Sequence, residues 1–158
     1  MKALVAYFSA ESGRTKKAAE EFAGKIGADL FEIVPEKPYS AADLKYMNPL
    51  ARCNREFAVK KDVPVGGKIE GFENYDRVYI GFPIWYRTYP RVVASFLDLY
   101  DFSGKKIRPF CTNDEGTFGI SLLEMQGAVK GAEIANGLAI RGVNVHDADD
   151  RIKEYVES

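Results

Sequence analysis

Three stretches of this chain place groups able to grip a ligand directly behind an apolar run. In the first, Phe8-Ser-Ala-Glu-Ser-Gly-Arg-Thr15, the residues Ser9, Ser12 and Thr15 supply hydroxyls and Gly13 lets the backbone come close. The helix-like run that follows would add free amides and the positive end of its dipole, so the turn can hold a phosphate without a lysine. The same residue types also make an ordinary hydroxyl-rich helix cap, and taken alone they leave both readings open. The second stretch, Gly81-Phe-Pro-Ile-Trp-Tyr-Arg-Thr-Tyr-Pro90, holds the only tryptophan, Trp85, with Tyr86 and Tyr89. Flat aromatic surface there suits a flat ligand; packing on the sheet edge or on a partner subunit is the competing use, strongest for Tyr89. The third, Thr112-Asn-Asp-Glu-Gly-Thr-Phe-Gly119, can turn backbone amides toward the polar edge of a ring system, or be a plain Asn/Asp/Gly turn.

Alternating strands and helices must position these loops. Lys2 to Phe8 is a continuous run of β-branched and aromatic residues, the pattern of a strand buried on both faces. Ala19, Phe22, Ala23 and Ile26 then repeat with helical spacing until Gly27 stops them. A second strand is predicted over Asp29–Val34, a third over Arg77–Phe82, a fourth over Lys106–Cys111 and a fifth within Glu133–Ile140. Pro109 sits awkwardly in the fourth, because a central strand needs its amides for pairing. Helices are predicted around Val93, Phe96, Leu97 and Tyr100, around Leu122, Met125 and Val129, and around Ile152, Tyr155 and Val156. Between strands two and three lies a long crossover in which Asn48-Pro49 reads as a helix start, with Leu50, Cys53 and Phe57 on one face. Lys60-Lys-Asp-Val-Pro-Val-Gly-Gly67 reads as a surface loop.

This alternation predicts an α/β fold, a three-layer α/β/α sandwich on a five-stranded parallel sheet, with residues 1–158 as a single domain. In such sheets ligands settle beyond the carboxyl ends of the strands, where the winding reverses. The loops after strands one, three and four lie at that end.

Composition narrows the chemistry. The 158 residues, 46% hydrophobic, can bury a substantial core, and 22 basic against 23 acidic residues give a net charge of -1, without a field for wrapping nucleic acid. Cys53 and Cys111 form no metal-spaced cluster and read as buried thiols. The absence of a leader-like or membrane-length apolar run predicts a cytoplasmic setting without membrane attachment. The P-loop pattern GxxxxGK[ST] is absent and only one glycine of a dinucleotide-binding turn is present. A receiver-type phosphorylation domain is disfavoured, since no acidic pair follows strand one.

Jointly, FSAESGRTKKAAEEFA, ADLFEIVPEKPYSAADL, YDRVYIGFPIWYRTYP and FSGKKIRPFCT, in that order, resemble the flavodoxin-like FMN-binding family over almost the whole chain, in its branch of small bacterial flavodoxins. The resemblance implies strand order 2-1-3-4-5 and FMN as cofactor. It implies that Ser12, Gly13, Arg14 and Thr15, with Ser9 or Ala10, surround the phosphate. Pro83, Ile84, Trp85 and Tyr86 would lie beside the isoalloxazine, with Thr112, Asn113, Asp114, Gly116, Phe118 and Gly119 on its other side. No catalytic side chain and no metal are implied.

Three departures stand out. The spacing from Ser9 to Gly13 is one residue longer than the family pattern and Arg14 replaces an asparagine; Arg87 stands where the branch commonly has glycine; Asp114-Glu115 replace smaller residues. Arg14 reads as a solvated first-turn residue or as a charged contact to the phosphate, and Asp114 and Glu115 read as carboxylates turned to solvent. The lysine pairs 16–17, 60–61 and 105–106 read as solvated, and His146 as a surface residue. The function implied is electron transfer through bound flavin, with an unidentified redox donor and acceptor and with a homodimer open as an oligomeric state. A small FMN-dependent NAD(P)H:quinone-type oxidoreductase and a flavin-free protein-binding module on the same fold are the alternatives.

Overall fold

Strand β1 (Ala3–Tyr7) rises through the centre of the molecule with Leu4 to Tyr7 buried, as its apolar run requires. The computed structural model describes residues 2–10, 13–141 and 149–158. Helix α1 (Arg14–Ile26) follows, buries Thr15, Ala18, Ala19 and Phe22, and ends at Gly27, whose left-handed φ of 63° turns its amide back onto the Ala23 carbonyl. Then come β2 (Asp29–Glu32), β3 (Val34–Pro35), α2 (Arg52–Val59), β4 (Val65–Gly66), β5 (Arg77–Pro83), α3 (Arg91–Leu99), β6 (Lys106–Asn113), α4 (Ser121–Ala128), β7 (Glu133–Ile134), β8 (Leu138–Arg141) and α5 (Asp149–Glu157).

All pairings in the main sheet are parallel, in the order β2-β1-β5-β6, with β7 and β8 as successive halves of one edge strand along β6. Counting those halves as one strand gives the expected order 2-1-3-4-5. Two apolar layers flank the sheet. Val5, Tyr7, Phe22, Tyr79, Phe110, Ile140 and Ile152 pack on the α1 and α5 side. Leu4, Ile80, Phe82, Val93, Phe96, Ile107 and Met125 pack on the α3 and α4 side.

Pro109 finds its place in the break between β7 and β8. The Ile107 carbonyl accepts from the Ala135 amide, so position 109, two residues on, faces the same edge strand, where the ladder has lapsed and no donor is needed. Its carbonyl takes the Tyr155 hydroxyl at 3.1 Å.

The long crossover differs from expectation in detail. Helix α2 starts at Arg52 with Ala51 as its cap, not at Asn48-Pro49. Asn48 instead folds its own side chain onto the Leu50 amide at 3.0 Å, a turn that the short amide side chain favours over a cap. Leu50 and Phe57 are consequently exposed while Cys53 is buried. The 60–67 segment is more than a surface loop, because Val63 is buried and β4 pairs antiparallel with β3. Lys105 also departs from the solvated reading: it is buried, with Nζ donating to the Tyr75 carbonyl at 2.6 Å. His146 falls outside the described residues.

Phe22 joins the α1 face to Phe110 at 4.4 Å and to Tyr79 at 5.5 Å between ring centroids. A Phe22→Ala variant should lose about 3–5 kcal/mol of stability in urea unfolding; a loss below about 1 kcal/mol would contradict the packing described.

Candidate functional site

The carboxyl ends of β1, β5 and β6 deliver the three loops side by side, and the winding reverses between β1 and β5. In the first loop Gly13 adopts a left-handed φ of 71° and starts α1 without any side-chain cap. The space where its Cβ would stand is open. Ser9 accepts the Lys16 amide at 3.2 Å, so this serine reaches across the first turn of α1. Thr15 and Thr112, both buried, share a 2.8 Å hydrogen bond that ties the first loop to the third. Arg14 is not simply solvated: its Nη1 bridges to Asp114 Oδ1 at 2.8 Å, while the Asp114 side chain itself stays exposed to solvent as expected.

The second loop is a two-residue reversal. Trp85 and Thr88 exchange both backbone hydrogen bonds, at 2.8 and 3.1 Å, and Tyr86 and Arg87 between them have φ of 53° and 67°. A tight reversal of this hand demands positive φ at both positions, where glycine or asparagine would sit without strain. Neighbours offset the cost. Tyr86 stacks on Phe57 at 4.3 Å, and its hydroxyl contacts Asn54 Oδ1 and Cys53 Sγ. Burial, and then the Cys53 contact, push the Tyr86 phenol above its ordinary range. The Arg87 carbonyl accepts the Ile120 amide at 2.7 Å. That approach is possible because residue 119 is glycine: a Cβ there would lie 2.1 Å from the Arg87 oxygen.

Trp85 is half-buried and meets Phe8 and Tyr39 edge-on at 5.4 and 5.6 Å. Tyr39 is fixed in turn by a buried polar knot. Its hydroxyl donates to Glu56 Oε2 at 2.5 Å, Arg52 Nε donates to Glu56 Oε1 at 2.5 Å, and the guanidinium lies 4.2 Å from the Tyr39 ring centre. Burial and the Glu56 carboxylate push the Tyr39 phenol far above its usual range. Arg52 and Glu56 lie one turn apart on α2, at i,i+4, where side chains meet on one helix face.

Between the three loops opens a cleft of about 560 Å³, within the range of cofactor-sized pockets. Of the residues singled out from the sequence, Ala10, Arg14, Thr15, Pro83, Ile84, Trp85, Tyr86, Thr112, Asn113, Asp114 and Gly119 line it. Ser9 faces an adjoining cavity of about 270 Å³ that shares Ala10. Gly13 and Gly116 are not on the lining, and Phe118 packs toward the core against Phe82. Ser12 lies outside the described residues. Sequence reasoning missed Tyr46, which enters the cleft wall from the long crossover; Arg87 of the second loop and Glu115 and Thr117 of the third line it too. Burial pushes the Cys111 thiol up to about 12, as fits an inert core residue. Among the described residues no group of His, Cys, Asp and Glu side chains could hold a metal, and no helix is long and apolar enough to cross a membrane.

The family model for flavodoxin matches residues 2–158. The chain belongs to the flavodoxin family. A Bacteroides uniformis ATCC 8492 protein assigned as a flavoprotein is 32% identical, with 99% of this chain and 98% of that one covered and a TM-score of 0.89. A Lactobacillus acidophilus NCFM flavoprotein solved in complex with FMN is 25% identical, with 94% and 98% covered and a TM-score of 0.71. The FMN-bound flavodoxin of Fusobacterium nucleatum, 13% identical over 99% of this chain and 96% of that one at a TM-score of 0.61, shares the fold. Among curated proteins none matches the chain.

Two outcomes follow from this loop geometry. Gly119→Ala must displace the 86–87 turn and should cost about 1–3 kcal/mol in urea unfolding; an unchanged midpoint would show that the contact with Arg87 is not needed. Burial, aided by the charge of Glu124, raises the Tyr89 phenol from 10.0 to about 12. Since this folded-state value lies above the unfolded one, the stabilisation is complete below pH 10 and is lost as pH rises toward 12. The urea midpoint should therefore fall across that window, and fall less in Tyr89→Phe; equal falls would remove Tyr89 as a contributor.

Proposed function

We propose that this chain binds FMN in the cleft between the three loops and works in electron transfer through it. The observation that carries the reading is the joint construction at one end of the sheet: an uncapped helix start at a left-handed Gly13 beside an aromatic wall and a glycine-containing polar loop. A phosphate suits the α1 terminus because backbone amides and the helix dipole favour an anion there, and Arg14 adds a charged donor. Trp85 offers a flat apolar face, held in orientation by Phe8 and Tyr39. The loop at Thr112–Asn113 offers hydroxyl and amide groups to the ring's polar edge. FMN supplies the electron chemistry when bound, and the protein's part is binding, orientation and exclusion of water. The FMN complex of the Lactobacillus acidophilus relative supports the same cofactor.

A second reading, a small FMN-dependent NAD(P)H:quinone-type oxidoreductase, draws support from the wall that Tyr39 and Tyr46 add and from the cavity adjoining at Ala10. The net charge of -1 gives little of the acidic field that would draw basic redox partners. Rapid oxidation of a reduced nicotinamide with an added quinone would select the enzyme; its absence in FMN-loaded protein would select the carrier.

FMN added to purified protein should bind saturably, shift its visible absorbance, raise the thermal midpoint and lose fluorescence, with riboflavin binding at least about tenfold more weakly for want of its phosphate. The Trp85→Ala/Tyr86→Ala variant should lose most of the quenching. If saturating FMN changes neither absorbance nor thermal midpoint, the proposal fails, and a flavin-free binding module on this fold takes its place.

A further inference from the structure

At the opposite end of the sheet, cations gather. Arg77 opens β5 and Lys106 opens β6, with Arg108 two residues further on. The register sets Arg77 against Lys106 and Tyr79 against Arg108, so all three cationic side chains leave the face that carries α1 and α5. They line a cavity of about 520 Å³ together with Glu133, Asn136 and Ser158. Among the described residues, no carboxylate forms an ion pair with any of the three cations.

Arg108 is only 8% exposed. Its Nη2 donates to the Tyr155 carbonyl at 2.6 Å and to Ser158 Oγ at 2.5 Å, and its guanidinium lies 4.5 Å from the Tyr155 ring centre. These contacts ease the burial of the charge but leave it without a countercharge, and the Nε atoms of both Arg108 and Arg77 are buried with no acceptor. A buried guanidinium is costly unless paired, and the two Nε atoms, closed off from solvent, leave that cost uncompensated. Glu133, the register partner of Lys106, is the one acidic side chain of the lining, so its side chains carry an excess of positive charge that favours an anion.

We propose that this cavity binds a phosphate group, as inorganic phosphate or as a phosphomonoester. The Arg77 guanidinium presents donors that match phosphate oxygens, Lys106 adds a point charge at the rim, Arg108 adds a positive charge behind them, and Asn136 adds a neutral donor. Occupancy neutralises the row of cations and secures the end of α5, which Arg108 already ties to the sheet. Six residue-to-residue steps along β5 carry the chain from Arg77 to Pro83, a span of about 20 Å, so the site is distinct from the loop cleft and does not depend on flavin binding there.

Backbone-amide NMR of the full chain with added FMN tests this, because resonances of Lys106, Asn136 and Gly137 report the basic cavity while those of Gly13 and Arg14 report the loop cleft. Inorganic phosphate and glycerol phosphate should shift the first group saturably, at least about tenfold more tightly than acetate or chloride, and Arg77→Gln/Lys106→Gln should weaken the effect at least about tenfold. Arg108 is left intact because its burial makes it a folding residue. Tighter binding of glycerol phosphate than of phosphate assigns an organic phosphate; equal binding assigns the free ion. Linear shifts, equal effects of chloride, or an unchanged response in the double variant would overturn the proposal.

Discussion

The parallel pairing of β1, β5 and β6 is the constraint on which the loop end of the sheet depends. Because the three strands run the same way, their loops leave on one side, and the register of Tyr7 with Gly81 and of Pro83 with Thr112 starts those loops in line. A slip by one residue would turn each inward side chain outward and scatter the loop starts. The register tolerates no side chain at position 81: a Cβ there would meet the Phe110 ring at 2.2 Å. Close packing of Phe110 against Phe22 on the helix side thus bears on where the three loops begin.

Above that frame, the second loop stores strain that its surroundings offset. Tyr86 and Arg87 both occupy left-handed backbone, each at a cost of about 1–2 kcal/mol. The Phe57 stack, the hydroxyl contacts of Tyr86 and the bond from the Ile120 amide to the Arg87 carbonyl hold the turn in place. Arg87, at a position where glycine would move freely, therefore marks a turn fixed from three sides: by α2, by the Gly119 corner and by its own backbone bridge. The ion pair of Arg14 with Asp114 and the Thr15–Thr112 hydrogen bond perform the same service between the first and third loops.

The elements with strong periodicity were legible in the sequence. The apolar run of β1, the helical stripe of α1 with its Gly27 stop, and the strand–loop–helix of residues 77–99 appear within a residue or two of their predicted ends. The three loops were also legible as neighbours, since parallel topology leaves them one place to meet. The long crossover was not: Asn48-Pro49 carries good helix-start chemistry, and nothing local reveals that Asn48 spends its side chain on the Leu50 amide. Nor could spacing reveal that Lys105 is swallowed beneath Tyr75, that Tyr46 reaches the cleft, or that Phe118 turns from it toward Phe82. Those outcomes rest on contacts between residues far apart in sequence, which local patterning does not encode.

A crystal structure of the FMN-saturated protein is the most direct measurement of the proposed cleft. The proposal predicts the flavin phosphate at the start of α1, beside Gly13 and Thr15, and the ring system against Trp85 with its polar edge toward the Thr112–Asn113 loop. A flavin lodged elsewhere, or one with its phosphate away from the first turn of α1, would contradict it.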